Sequence, residues 1–592
     1  MINGYLIAPP AMFPEQPVIS IAVLKTYLMQ KKIGLFKCAD LNKEFFYYLI
    51  DKISKKDTGY DSITELGIKV AALDYINNTM KFDIESLEYK RIKNQNETSH
   101  WAPPFPFSYY ELVPYIEKDP QIVDSFLNSE KNIYVKFFEQ LLEERKIKID
   151  YIDFYGLSII GFFQVIPALT IAKCIKQRNP NTKICFGGPW ITLYAEKLTD
   201  LFSKNVLTDY IDFFSIAEGE YSIEKILEYM KGNVEINEIP NAIVKIDDVF
   251  VDTELFEIFN MSDSTLPPDY SDFELEKYFS FIEGEGRISV QSSRGCYHNK
   301  CSFCNALTNL RCKTLRQKDI ELFIDELRKL KEQFPSVRVI DFADCVSSKK
   351  RLLSLAEFFK ENDLKWEIDI RLEKWIDDEL ISAVKNSNGL LRFGLEAVSQ
   401  RLLDLHNKGN KMTIVIEIME RCKQFSYKPF IMTIVGLPSE TIQEAYELES
   451  FLLKYIDNCI PLVEDFNLER NTDIYYNPEK YNIEILPETS FLDPYISFIR
   501  KEGYSSAEEK KIYESVFINI MKASFDLALV QKEDFQWEFF NLLFDIPEIN
   551  VSQIQGIYNG IPFTELNPHF KQALYAKGIF VKNMSAVMFT AD

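Results

Sequence analysis

Histidine is nearly absent from this chain: four in 592 residues, and none between positions 101 and 297. Whatever chemistry that stretch carries is done without an imidazole. Positive charge is also scarce, with 67 Lys and Arg against 89 Asp and Glu and a net charge of −22. That balance argues against a nucleic-acid partner, because gripping phosphates needs a basic footprint. Long apolar runs are missing. The most apolar stretch, Tyr155 to Ala172, contains Gln164 and Pro167 and reads as a strand, a loop and a helix start, not a membrane span. The N-terminus lacks the charged and long apolar regions of a signal peptide, so a reducing cytoplasm is the expected compartment. In that setting the ten cysteines are not expected to form disulfides.

Three cysteines are close together. Cys296, Cys301 and Cys304 fall within nine residues, in Arg294-Gly295-Cys296-Tyr-His-Asn-Lys-Cys301-Ser-Phe303-Cys304, and no fourth follows at such spacing. Three thiolates can hold three irons of a [4Fe–4S] cluster and leave the fourth open, which suits a catalyst better than an electron carrier. Zinc is the alternative, but a structural zinc site wants four closed ligands. His298 would be the fourth, awkwardly placed between two cysteines in a tight loop. The others (Cys38, Cys174, Cys185, Cys312, Cys345, Cys422 and Cys459) are scattered, and several read as buried thiols.

A chain of this length holds two to four domains. Hydrophobic residues make up 46%, enough for large buried cores. Short apolar strands alternate with helices in two places, so the fold class is α/β. Residues 1–235 read as a doubly wound, Rossmann-like domain with an aromatic-rich helical insertion at about 42–148. Residues 236–285 read as a linking or wrapping segment with a hairpin near Ile243 to Val251. Residues 286–454 read as a (β/α) partial barrel with the cysteines after its first strand. Residues 455–592 read as a mainly helical C-terminal domain, with a capping box at Ser505/Ser506 and Glu508/Glu509. Active groups belong at the C-terminal ends of the strands of both sheets.

The cysteine motif, with Phe303 before its last cysteine, resembles the radical SAM superfamily. The first gap is four residues where that family usually has three. The resemblance extends over 287–450 through Asp341-Phe-Ala-Asp344, Arg371, Phe393-Gly394-Leu-Glu396-Ala-Val-Ser399 and Gly436-Leu-Pro438-Ser-Glu440. It implies that Phe303, Asp344, Arg371, Glu396, Ser399, Gly436 and Pro438 surround S-adenosylmethionine (SAM), whose ammonium and carboxylate need an acid and a base nearby. The first domain resembles the cobalamin-binding domain of one large radical SAM class. The matching pieces are Pro9-Pro10, Ser158 with Gly161, Phe163 and Gln164, Gly187-Gly188-Pro189, and Glu218-Gly219-Glu220. The Asp-x-His-x-x-Gly motif of cobalamin mutases is absent, so the resemblance implies a cobalt lower face without imidazole. A degenerate, purely structural domain is the alternative.

The segment Phe466 to Tyr481 resembles class members that modify ribosomally made peptides. No cysteine-rich C-terminal segment follows, which argues against an auxiliary cluster. The resemblance implies an enzyme that splits SAM to a 5′-deoxyadenosyl radical, takes hydrogen from an unactivated carbon of a small molecule or peptide, and methylates that carbon from methylcobalamin. An external reductant of flavodoxin or ferredoxin type would supply electrons. The rivals are a cobalamin radical SAM enzyme that cyclises, contracts a ring or forms another bond, and a non-catalytic cobalamin or iron–sulfur binding protein.

Overall fold

The computed structural model describes residues 2–54, 120–149, 151–282, 285–304, 314–344, 348–487 and 495–523, with a few single positions in these ranges excepted. Two parallel sheets organise them.

The first sheet has seven strands in the order β2-β1-β3-β4-β5-β6-β7. These are β1 (Ile2–Ala8), β2 (Gly34–Asp40), β3 (Phe154–Ser158), β4 (Lys183–Gly187), β5 (Phe213–Ser215), β6 (Ala242–Ile246) and β7 (Val249–Asp252). β1 to β5 pair in parallel, and the β6–β7 hairpin adds antiparallel strands to the β5 edge. The hairpin, read from the sequence as part of the 236–285 connecting segment, thus extends the first sheet. Its burial explains why: Ala242, Ile243 and Val244 are buried against the strands and helices of that sheet.

The central strands β1, β3 and β5 are buried on both faces, as continuous apolar runs in parallel sheets require, whereas the edge strand β2 alternates buried and exposed. One face packs against the helix Ile19–Gln30 and the helix Gly219–Met230, in a core continuous with that of the second sheet. The other face packs against Val165–Arg178, whose residues 165–175 are all buried, and against the described helices of the 42–148 insertion through Phe45, Tyr134 and Phe137. Pro167 lies in the first turn of its helix, where no intrahelical donor is lost.

The second sheet has six parallel strands in the order β15-β14-β13-β12-β11-β8. They are β8 (Arg287–Val290), β11 (Val339–Phe342), β12 (Lys365–Arg371), β13 (Gly389–Glu396), β14 (Phe430–Val435) and β15 (Ile460–Asp465). Sequential strand order with intervening helices is a partial barrel. β9 (Ser293–Arg294) and β10 (Arg316–Gln317) form a small antiparallel ribbon that closes the stem of the cysteine loop.

β15 lies beyond residue 454, so the barrel sheet extends into the segment read as C-terminal. The strand is short and lies just after a helix, and its alternation was masked by Glu464 and Asp465. The described C-terminal residues include the helix Asp473–Tyr476 and helical turns after Ser505, and they add a hairpin, β16 (Ile483–Ile485) with β17 (Phe498–Arg500). Ser505 and Glu508 form the expected reciprocal cap. Among the described residues no helix is long and apolar enough to cross a membrane.

Candidate functional site

The C-terminal edges of the two sheets face one another across a cavity of about 390 Å³. The first sheet contributes Ser158 at the end of β3, the Gly187-Gly188-Pro189 turn after β4, Ser215 on β5, and Ala217 to Glu220. These are small residues, so the rim is largely backbone. Gly188 has φ +103°, and a Cβ there would lie 2.5 Å from the Ile159 carbonyl oxygen. Only glycine fits. The turn is tied down by Ile159 N donating to Gly187 O at 2.8 Å and Trp190 N donating to Ile159 O at 3.2 Å.

Other sequence-predicted residues of the first domain stand behind this rim. Gln164 is fully buried, donates to the Pro9 carbonyl at 2.5 Å and accepts from Ile160 N at 2.7 Å. Both ends of its amide are spent joining the β1 end to the β3 loop. Gly161 leaves room for the Phe163 ring, which would lie 2.4 Å from a Cβ. Pro9, Pro10, Gly161, Phe163 and Gln164 do not line the cavity, whereas Ser158, Gly187, Gly188, Pro189, Glu218, Gly219 and Glu220 do.

The carboxylates of Glu218 and Glu220 have partners across the domain boundary. Arg294, two residues before Cys296, reaches Glu220 at 2.5 Å and Glu218 at 3.2 Å. Arg316, paired with Arg294 across the ribbon, reaches Glu218 at 2.8 Å and donates to Phe259 O at 2.6 Å. Burial would raise the Glu218 carboxyl, but the Arg316 hydrogen bond and both guanidinium charges hold it below its usual value. The first domain therefore grips the stem of the cysteine loop.

Cys296, Cys301 and Cys304 are half-buried on that loop. Among the described residues no three His, Cys, Asp or Glu side chains converge to hold a single metal ion. A cluster has a different requirement: each thiolate takes a different iron, so the sulfurs stand further apart. His298 is not aimed at the cysteines, since its Nε2 lies 2.5 Å from the Asn407 carbonyl. Beside Cys301, Arg371 Nη1 is 4.0 Å from the sulfur. Burial pushes the Cys301 thiol up, while the Lys408 and Arg371 charges pull the other way.

On the second sheet, Asp344 lines the cavity but its carboxylate is also a cap. It accepts from Ser292 N at 2.8 Å and Ser293 N at 3.0 Å, with Ser292 Oγ a third donor. Arg371 donates to Lys408 O at 2.5 Å and to Glu373 at 3.0 Å. Glu396 follows a register shift in β13, has φ +67°, and meets Lys408 Nζ at 2.6 Å. Such a bulge re-aims a side chain at the sheet's end. Ser399 caps the helix Gln400–Leu405 and donates to Glu444. Gly436 has φ +93°, and its N–H donates to Glu440 at 2.6 Å. Phe303 packs at 6.3 Å from the His406 ring.

Several residues were missed by sequence reading. Lys408 has no motif around it beyond a polar run. His406 had one signal, its rarity. It is fully buried, with Nδ1 2.8 Å from Ser302 Oγ and Nε2 3.0 Å from Pro438 O. Burial, the Arg401, Arg500 and Lys480 charges also opposing protonation, pushes its pKa down to about 4, so it stays neutral. Gln16, from the loop after β1, crosses to the second sheet and donates to Ser289 Oγ at 3.0 Å. Inside the barrel, buried Arg392 pairs with Asp341 at 3.0 Å and also with Asp369.

The chain is similar to several known proteins. Residues 290–452 match the Radical SAM superfamily. The uncharacterized methyltransferase PH0819 of Pyrococcus horikoshii is 25% identical over 362 residues, covering 60% of this chain and 73% of that protein. The anaerobic magnesium-protoporphyrin IX monomethyl ester cyclase of Synechocystis is 25% identical over 130 residues, 24% of its length. Among solved structures, the cobalamin-dependent SAM radical enzyme OxsB with aqua-cobalamin bound aligns at a TM-score of 0.58 and 13% identity, covering 97% of this chain and 72% of that one. The radical SAM methyltransferase TsrM of Kitasatospora setae, with cobalamin and a [4Fe–4S] cluster bound, aligns at 0.51 and 12% identity, covering 82% and 81%. These structural likenesses are likenesses of fold. The match to the Radical SAM superfamily thus falls on the second sheet and its cysteine loop.

Proposed function

We propose that this chain is a cobalamin-dependent radical SAM enzyme that methylates an unactivated carbon of a small molecule or peptide. The observation that carries the reading is the meeting of two sheet edges at one cavity, with the cysteine loop held between them by Glu218 and Glu220. Two cofactors must reach one substrate carbon, and a shared cavity lets them do so.

The residues fit the groups the reading requires. Three thiols on one loop supply the donors for three irons. The backbone rim at Gly187, Gly188 and Gly219 is a cradle that side chains would fill: a Cβ on Gly219 would meet Leu24 at 3.3 Å. When bound, the cluster and SAM supply a hydrogen-abstracting radical and cobalamin supplies a transferable methyl group. The protein holds and shields these groups. Arg371, Lys408 and Glu396 form a charged set beside Cys301 that suits the amino-acid end of SAM. Gly188 and Ser158 present an open, mostly apolar wall to the larger ligand. The reducing partner is a small flavin or iron–sulfur protein, and the chain works in the cytoplasm.

Turnover with SAM carrying a trideuterated methyl group tests the reading. The product should gain the labelled methyl, with 5′-deoxyadenosine and S-adenosylhomocysteine released together. A cyclised or rearranged product without the label would instead support the ring-forming chemistry that the name of the shorter, cyclase-type match suggests.

A further inference from the structure

The turn after β14, Gly436 to Glu440, is held from outside itself at its first four carbonyls. Arg500 donates to Gly436 O, and to Leu437 O at 3.0 Å. His406 reaches Pro438 O at 3.0 Å, and Arg401 donates to Ser439 O at 2.7 Å. Of these donors His406 alone also holds the cysteine loop. Its ring lies 2.8 Å from Ser302 Oγ, and its own carbonyl accepts from Ser302 N at 3.0 Å. Ser302 stands between Cys301 and Cys304 in sequence. A carbonyl can only accept, so Nε2 carries the proton and Nδ1 accepts from the Ser302 hydroxyl. The ring is fixed in its plane by stacking on Tyr481 at 5.4 Å and 12°.

We infer that His406 is a positioning residue that sets the distance between the cysteine loop and the Gly436–Glu440 turn, and so seats SAM against the cluster. The inference rests on the proposed function. Nothing in that reading used His406, which lies outside the cavity lining. Its role follows from geometry. Two backbone segments more than a hundred residues apart are spanned by one doubly bonded side chain, and a side chain that lacks the donor or the acceptor would let them drift. Small displacements of a bound reactant cost large factors in rate.

The test compares His406→Gln, His406→Phe and Ser302→Ala with the wild-type full chain after anaerobic cluster reconstitution. All three should retain the iron content and visible spectrum of the wild type, because the thiols are untouched. The electron paramagnetic resonance signal of the reduced cluster should shift on adding SAM in the wild type and shift less in His406→Phe. The KM for SAM should rise about tenfold in His406→Phe and about threefold in Ser302→Ala, as expected for losing two hydrogen bonds or one. His406→Gln, which keeps a donor and an acceptor, should recover most of the wild-type value. Unchanged KM and unchanged SAM-dependent signal in His406→Phe would overturn the inference. Should His406→Phe fail to fold, Ser302→Ala decides alone, and an unaltered KM there overturns it too. A wild type that assembles its cluster but neither binds nor cleaves SAM would refute the proposed function instead.

Discussion

The two sheet edges that meet at the cavity are built on opposite plans. The edge of the first sheet is small residues and backbone: Ser158, Gly187, Gly188, Ser215, Ala217 and Gly219. The edge and interior of the second are charged and interlocked, with Arg287, Asp341, Glu367, Asp369, Arg392, Glu396 and Lys408 paired at short range. A backbone rim receives a large ligand by shape and by leaving room for it. A set of charged side chains at a strand end is suited to a small zwitterion, the role proposed above for Arg371, Glu396 and Lys408. Charged side chains of the first edge, Glu218 and Glu220, follow the second plan, since they serve the cysteine loop and not the rim. Each edge should therefore fail differently when damaged.

The largest effect is expected at the cysteine loop, the proposed cluster site. Cys304→Ala should abolish both the brown chromophore after reconstitution and all SAM cleavage, while the folded chain retains its cobalamin affinity. Loss of cobalamin along with the chromophore would break the comparison, because the two edges would then not be separable. Absorption spectra and equilibrium binding of cobalamin check this.

Next in size is the lock between the edges. Removing one partner of a buried, hydrogen-bonded ion pair costs about 3–5 kcal/mol. Glu218→Ala should cost that much in denaturant unfolding, because Glu218 serves Arg294, Arg316 and the Phe259 N–H together. The pH dependence has a definite sign. The folded-state pKa of Glu218 lies below its ordinary 4.5, so its contribution is complete above that value and is lost as pH falls through the folded pKa. Wild type should lose stability on acidification below about pH 4.5 more steeply than Glu218→Gln does.

The third effect separates shape from stability on the first edge. Gly188→Ala places a Cβ 2.5 Å from a backbone oxygen at a positive φ, and should cost about 1–3 kcal/mol in strain alone. Gly187→Ala meets nothing closer than 3.4 Å and should leave the thermal midpoint nearly unchanged. Its methyl group nevertheless stands at the cavity wall, so cobalamin affinity should fall while cluster and SAM binding stay intact. Unchanged affinity in Gly187→Ala would mean that this rim is not the cobalamin face.

This division explains what the sequence revealed. Strand–helix alternation, the cysteine triplet and the Gly-Gly-Pro turn are local patterns, and local patterns are legible. The strands of both sheets from Ile2 to Val435 fall within a few residues of where periodicity places them. The pairing of Glu218 and Glu220 with Arg294 and Arg316 spans 74 to 98 residues and has no local signature. An acidic turn beside glycines reads as a ligand contact until its partners are seen. Gln164 misled for a similar reason: its amide has the chemistry of a ligand contact, and only its full burial shows both ends occupied. His406 and Lys408 lie after a recognisable motif, yet their partners come from distant loops and strand ends.

The smallest effect concerns the turn that His406 holds. Glu440 is buried, and its Oε2 accepts from Gly436 N at 2.6 Å and from the Tyr504 hydroxyl, while its other oxygen has no hydrogen-bond partner among the described residues. Burial, opposed by those two donors, raises the carboxyl from 4.5 to about 7. The folded chain thus holds a proton that the unfolded chain has released between those values, and stability falls as pH rises through that window. A shift of this size corresponds to about 3 kcal/mol at pH values above both. Glu440→Gln removes the titration but leaves amide hydrogens without an acceptor, at a cost on the order of 1–2 kcal/mol. The variant should therefore be more stable than wild type by on the order of 1–2 kcal/mol at about pH 8, and no more stable than wild type near pH 5. Chemical denaturation at the two pH values measures it. A difference of the same sign and size at both would show that Glu440 is already ionised in the folded turn. The second edge would then tolerate an unpaired charge as well as paired ones.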